Sequence, residues 1–204
     1  MTVRAIIVDI GGVLLLRDAM PAQRAWEERL GFAPGGFMRE LFWADLAAQA
    51  TVGEISAVHV WDDMAARHAL SAADVQELRR DFFAGERLNA PFIAFLQGLR
   101  PACRMAALSN AWSGTRQAMR THYGMDRLVD LMIFSDEEGM AKPDPRIYHL
   151  AAERLGIQPE EALFVDDVPR NVEAARAVGM TAVHFRDTAQ AVAEIEHALN
   201  TDER

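Results

Sequence analysis

A chain of 204 residues, half of them hydrophobic and a quarter charged, has enough apolar material for a core of ordinary domain size, which excludes wholesale disorder. The net charge of −9 and a pI near 5.1 exclude the basic footprint that nucleic acid requires, so an acidic chain like this binds phosphate only at a cation or a focused local site. One cysteine, Cys103, excludes an internal disulfide and a cysteine-rich zinc site, and its apolar neighbours at 102–108 make it a buried, inert thiol.

The first element predicted is a buried strand at residues 5–8, ending on Asp9 and followed by the pair Gly11-Gly12. A strand end of this kind in an α/β protein is where ligands bind, and paired glycines let backbone approach an anion, which makes Gly12 a candidate substrate-binding position. Helical periodicity then takes over. Helices are predicted at 21–30, closed by Gly31, at 36–50 with Phe37, Leu41, Phe42 and Leu46 on one face, at 54–70, and at 71–83 with Ser71 and Asp74 in capping-box positions. So much helix between two strands is more than a crossover needs, so residues 16–86 are read as an α-helical cap inserted in a core of residues 1–15 and 87–204. From Asn89 strand and helix alternate. A helix at 91–99 and strands at 104–108, 131–134, 162–165 and 181–185 are separated by helices at 113–122, at 145–156 with Asp144 as N-cap, and at 169–179, and a helix at 189–199 closes the chain. The expected fold class is α/β, a doubly wound parallel sheet with a Rossmann-like core. No apolar run reaches the length of a membrane span and the N-terminus lacks the order of a signal peptide, so a cytoplasmic protein with no membrane partner is expected.

Four groups follow strands in this order: Asp9, Ser109-Asn110, Lys142 and Asp166-Asp167. Singly, each fits a turn, a cap or a surface position as well as a site; their shared placement is what points to chemistry. Adjacent carboxylates repel unless a cation neutralises them, and Mg²⁺ accepts carboxylates while keeping positions for a phosphate. With Asp9 as third carboxylate and nucleophile, Lys142 would balance charge, Ser109 would donate to a phosphoryl oxygen, and an aspartyl-phosphate would form and be hydrolysed. The substrate expected is a small phosphorylated metabolite, handled by a monomer or homodimer.

The motifs VDIGGVL, LSN, GMAKPDPRIY and FVDD, in this order along essentially the whole chain, resemble the haloacid dehalogenase-like hydrolase superfamily, in its capped phosphatase branch. The resemblance implies Asp9 as nucleophile, the Gly11 carbonyl and Asp167 as Mg²⁺ ligands with Asp166 as ligand or supporting carboxylate, Ser109 as phosphate binder, Lys142 as charge anchor, and Asn110 and Asn171 in supporting places. The chain departs from it at Gly11, where phosphatases of the family usually carry an acidic residue as general acid and base. That acid is typically worth about 10² to 10⁴ in rate, or about 3 to 5 kcal/mol of barrier. Its absence points to a leaving group that is a weak base, such as a sugar 1-phosphate, an acyl phosphate or a phosphoanhydride. Two other readings stay open, a dehalogenase, whose halide needs no acid, and a catalytically silent module that binds a phosphorylated ligand. Candidates for substrate choice are Arg17, Asp18, Trp43, the Gly53-Glu54-Ile55 turn and Trp112, although each also fits an ordinary core or surface role. The six histidines are scattered without ligand spacing and carry no assigned chemistry.

Overall fold

The computed structural model describes residues 2–17, 21–42, 44–100 and 102–201. Strand β1 (Ala5–Val8) is buried along its whole length, and β2 (Leu15–Arg17) follows it. Helices α1 (Pro21–Leu30), α2 (Gly36–Phe42), α3 (Asp45–Thr51), α4 (Ala57–Arg67) and α5 (Ala72–Phe83) come next, then β3 (Glu86–Leu88). The remainder alternates: α6 (Ala90–Leu99), β4 (Arg104–Ser109), α7 (Thr115–Tyr123), β5 (Leu131–Phe134), α8 (Ser135–Glu138), α9 (Pro145–Leu155), β6 (Ala162–Asp166), α10 (Pro169–Ala177), β7 (Thr181–His184) and α11 (Thr188–Thr201).

Five strands form one sheet in the order β5-β4-β1-β6-β7, every pairing parallel. Alternate residues of its strands feed two cores. Ile6, Val8, Met105, Ala107, Leu163 and Val165 meet α6, α7 and α11 on one face, while Ala5, Ile7, Ala106, Leu108, Ala162 and Phe164 meet α9 and α10 on the other. The chain leaves β1 for β4 on one side and returns through β6 on the other. That reversal opens a crevice at the carboxyl ends of β4, β1 and β6.

Helices α1 to α5 build a third core of their own, around Trp26, Phe37, Leu41, Val60, Trp61, Met64, Leu78 and Phe82. An antiparallel ribbon, Leu15 opposite Leu88 and Arg17 opposite Glu86, ties the start of this helical segment to its end. Its three-residue strands are too short to leave a periodic signal, which is why sequence reading passes over them. The single helix expected at 36–50 is two, α2 and α3, with Ala44 extended at φ −72° and ψ 151° ahead of α3.

Two caps explain shifted boundaries. Ser56 accepts from the Val58 amide and starts α4 at Ala57, later than the expected residue 54. Ser113, expected to open α7, instead accepts from the Ala57 amide at 2.9 Å, so α7 begins at Thr115. The expected capping box of Ser71 and Asp74 and the Asp144 N-cap are present, and Gly156 ends α9 at φ +63°. Among the described residues, no helix is long and apolar enough to cross a membrane.

Candidate active site

Asp9 leaves the carboxyl end of β1 with little exposed surface, anchored by its own N–H donating to the Val165 carbonyl of β6 at 2.8 Å. Its Oδ1 accepts from the Ile10 amide at 2.7 Å and pairs with Lys142 Nζ at 2.8 Å. Oδ2 has no such partner among the described residues and is the oxygen left to act. Burial first, then Asp166 and Asp167, push the Asp9 carboxyl up to about 7 against the pull of Lys142.

Lys142 is buried, and its ammonium donates to Asp9, to Asp166 Oδ2 at 2.7 Å and to the Leu108 carbonyl at 2.9 Å. All three hydrogens are thus taken, so Lys142 anchors the two carboxylates and acts on a ligand through its charge. Burial opposes its charge, but Asp9 and Asp166 outweigh burial and hold its pKa above the ordinary lysine value. Asn110 fixes Lys142 in place: its amide donates to the Lys142 carbonyl and accepts from the Lys142 amide, both at 2.8 Å. An asparagine used at both ends positions Lys142, and its second N–H stays available on the cavity side. Ser109 differs, since its hydroxyl makes only a long 3.4 Å contact to the Asn110 carbonyl and remains free to donate.

Asp166 is the last residue of β6 and wholly buried, which sets aside the alternative of an ordinary turn carboxylate. Val168 N–H, Lys142 and both approaches of the Asn171 amide fill its oxygens. The Tyr148 hydroxyl holds Asn171 in turn through its carbonyl at 3.0 Å, while Asn171 Oδ1 is buried without a partner. Asp167 points the other way and lies against the loop after β1. A Cβ at Gly12 would sit 2.3 Å from Asp167 Oδ2, and Gly12 has φ +77°, so only glycine admits this approach. The Gly12 amide donates to the Leu15 carbonyl at 2.8 Å; its contribution is space, not the hydrogen bond to an anion expected from sequence.

Oxygens of Asp9, Asp166 and Asp167 lie within 4.8 Å of one another. Three carboxylates face one ammonium, and burial followed by Asp166 also raises the Asp167 pKa. The donor set therefore fits a hard divalent cation, whose charge cancels the surplus that Lys142 leaves.

Above these groups lies a cavity of about 740 Å³ between the sheet end and the helical segment, floored by Gly11, Ser109 and Lys142 and walled by Phe42, Phe82, Phe83 and Trp112. Sequence reading assigned Phe42 to the packed face of its helix and Phe83 no role; no local signal marks either as a cavity residue. Arg17 and Trp112 line this cavity as candidates should, but Arg17 is committed to Glu86 at 2.5 Å and covers the Phe82 ring at 4.2 Å. The Gly53 turn instead seats on the Asp136 backbone, leaving Thr51 and Val52 to line the cavity. Asp18 and Trp43 lie outside the described residues. Arg170, which sequence reading missed, lines the cavity and makes no ion pair among the described residues.

The model of the haloacid dehalogenase-like hydrolase family matches residues 3–179. The chain belongs to that family. Among curated relatives, the bifunctional epoxide hydrolase 2 of Sus scrofa is 28% identical over 96% of this chain, which spans only 39% of that protein. The fructose-1-phosphate phosphatase YqaB of Escherichia coli is 26% identical, covering 89% of this chain and 95% of its own length. Among solved structures, the HAD family enzyme bt-2542 of Bacteroides thetaiotaomicron, in complex with magnesium and inorganic phosphate, superposes with a TM-score of 0.74 at 18% identity, over 90% of this chain and 94% of that one. This last likeness concerns the fold.

Proposed function

We propose that this hydrolase is an Mg²⁺-dependent phosphatase of small phosphorylated metabolites, acting through an aspartyl-phosphate on Asp9, with residues 16–86 as cap and 1–15 with 87–204 as core. The observation that carries the reading is Asp9 itself: one oxygen held by Lys142 and Ile10, the other free, beside two more carboxylates and next to a cavity that Ile10, Gly11 and Lys142 line. Phosphatase relatives and a magnesium-bound structural neighbour support it.

Asp9 and Asp167, with the Gly11 carbonyl, would hold the cation, and the buried Asp166 would add its charge. Bound there, it would shield the phosphoryl group from the carboxylates and draw charge off the phosphoryl oxygens. Asp9 Oδ2 attacks phosphorus, and the bond to the leaving oxygen breaks with its electron pair. Lys142 keeps Asp9 ionised and oriented, and Ser109 donates to a phosphoryl oxygen. Water then attacks the same phosphorus, releasing phosphate and restoring Asp9. No acid stands at Gly11, so the leaving group departs as a weak base.

Phosphate release from a panel of esters, with Mg²⁺ and with chelator, tests this directly. Mg²⁺-dependent release that falls on the order of 10⁴-fold in Asp9→Asn is expected. Binding without release from any ester would instead make the chain a phospho-ligand module.

A further inference from the structure

The cavity next to Asp9 has one aromatic wall. Its wall is a continuous aromatic series, with ring centroids of Trp112 and Phe42 at 4.9 Å, Phe42 and Phe82 at 5.9 Å, and Phe82 and Phe83 at 4.9 Å. Of the large hydrophobic residues exposed among the described residues, Phe42 at 41%, Phe83 at 49% and Val58 at 54%, the two phenylalanines line this cavity. Isolated exposed apolar residues need no explanation, but neighbours lining one concavity over a reactive carboxylate mark a ligand surface.

The polar groups beside that wall are already engaged. Thr51 Oγ1 donates to the Ala47 carbonyl at 2.7 Å and accepts from Trp112 Nε1 at 3.0 Å, and Thr115 Oγ1 donates to the Trp112 carbonyl at 2.7 Å. Arg17 pairs with Glu86, whose other oxygen accepts from the Tyr123 hydroxyl at 3.1 Å. A sugar placed there would lose water from several hydroxyls and find no free partners, a cost of about 1–3 kcal/mol for each group left unpaired. Groups with hydrogen-bonding capacity to spare, Ser109, Arg170 and the second N–H of Asn110, belong to the core side, Ser109 on the floor itself.

We infer that the substrate is the phosphoric monoester of an apolar, ring-sized phenol, its phosphate beside Asp9 and its leaving group against Phe42, Phe82, Phe83 and Trp112. This rests on the phosphatase reading and puts an aryl ester in place of the sugar 1-phosphate, acyl phosphate or phosphoanhydride named as examples from sequence. The cavity volume of about 740 Å³ accommodates such a group. A phenolate, with a pKa of about 10, also meets the demand for a weakly basic leaving group.

The test uses phenyl, 4-ethylphenyl and 4-butylphenyl phosphate with Mg²⁺, a series that lengthens the apolar group while leaving-group basicity hardly changes. kcat/KM should rise about fourfold per added methylene while the chain follows the wall. In Phe42→Ser and Phe83→Ser, side chains whose exposure makes them tolerant of change, the butyl-to-unsubstituted ratio should fall about tenfold. A flat series in the wild type, or a hexose phosphate hydrolysed faster than every aryl ester, overturns the inference and leaves the phosphatase reading standing. If no ester at all is hydrolysed, that reading fails, and calorimetry with phenylphosphonate and 4-butylphenylphosphonate decides the wall alone: tighter binding of the butyl compound upholds an apolar ligand, equal or absent binding overturns it.

Discussion

At the residue scale, the site divides into groups saturated by the protein and groups left free. Lys142 and Asp166 have their hydrogen-bonding capacity used up by one another, by Asp9, by Asn171 and by backbone, whereas Asp9 Oδ2 and the Ser109 hydroxyl do not. Such a division lets the buried set hold its geometry while the free atoms react. Gly11 is the place where the set is incomplete. A Cβ there would meet nothing within 4 Å, and Gly11 is not among the glycines of positive φ, so Gly11→Asp fits without strain. If the absent acid is what restricts the leaving group, this variant should raise kcat/KM on ethyl phosphate, by up to about 10², and change phenyl phosphate much less. An unchanged ratio of the two esters would show that the proton comes from elsewhere.

At the scale of elements, helix ends decide how the cap segment is assembled. The Ser71 hydroxyl accepts from the Asp74 amide at 3.2 Å while Asp74 Oδ2 accepts from the Ser71 amide at 2.9 Å, and Arg29 of α1 reaches Asp74 Oδ1 at 2.5 Å. One carboxylate thereby caps α5 and joins it to α1. Its hydrogen bond from the Ser71 hydroxyl, then that from Arg29, holds Asp74 down to about 2. Because the folded pKa lies below the unfolded one, this stabilisation is present above about pH 4 and is lost as pH falls towards 2. Ser71→Ala should cost about 1 kcal/mol, read as a fall of roughly 2–4 °C in Tm at neutral pH. Asp74→Asn should show a shallower loss of Tm between pH 4 and 2 than the wild type, and an identical acid limb would contradict the assignment.

At the scale of the whole molecule, the seam between the helical segment and the sheet determines where the aromatic wall stands over Asp9. Among the contacts that form it are Trp112 Nε1 to Thr51 Oγ1 at 3.0 Å, the Ala57 amide to Ser113 Oγ at 2.9 Å, and Gly53 against the Asp136 carbonyl. Gly53 has φ +72°, and a Cβ there would lie 2.0 Å from that carbonyl oxygen, a clash between two backbones that cannot be relieved by rotating a side chain. Gly53→Ala should displace the seam and lower kcat/KM by about a hundredfold with an unchanged circular dichroism spectrum. Wild-type kcat/KM in that variant would mean the seam does not position the wall.

The sequence by itself determined what depends on neighbours along the chain: β1 and its terminal Asp9, the sheet strands with their alternating faces, the capping box at Ser71, the Asp144 cap, and the strand-end order of Ser109, Lys142, Asp166 and Asp167. Backbone geometry enforces those patterns within a few residues. Contacts between distant segments were decided only by the tertiary structure. Phe37, Leu41 and Phe42 share one helical pattern, yet Phe37 and Leu41 are buried in the cap core while Phe42 lines the cavity. Likewise, the formula of lysine does not say that its three hydrogens will meet Asp9, Leu108 and Asp166. That follows from the sheet order, which sets the ends of β4, β1 and β6 side by side.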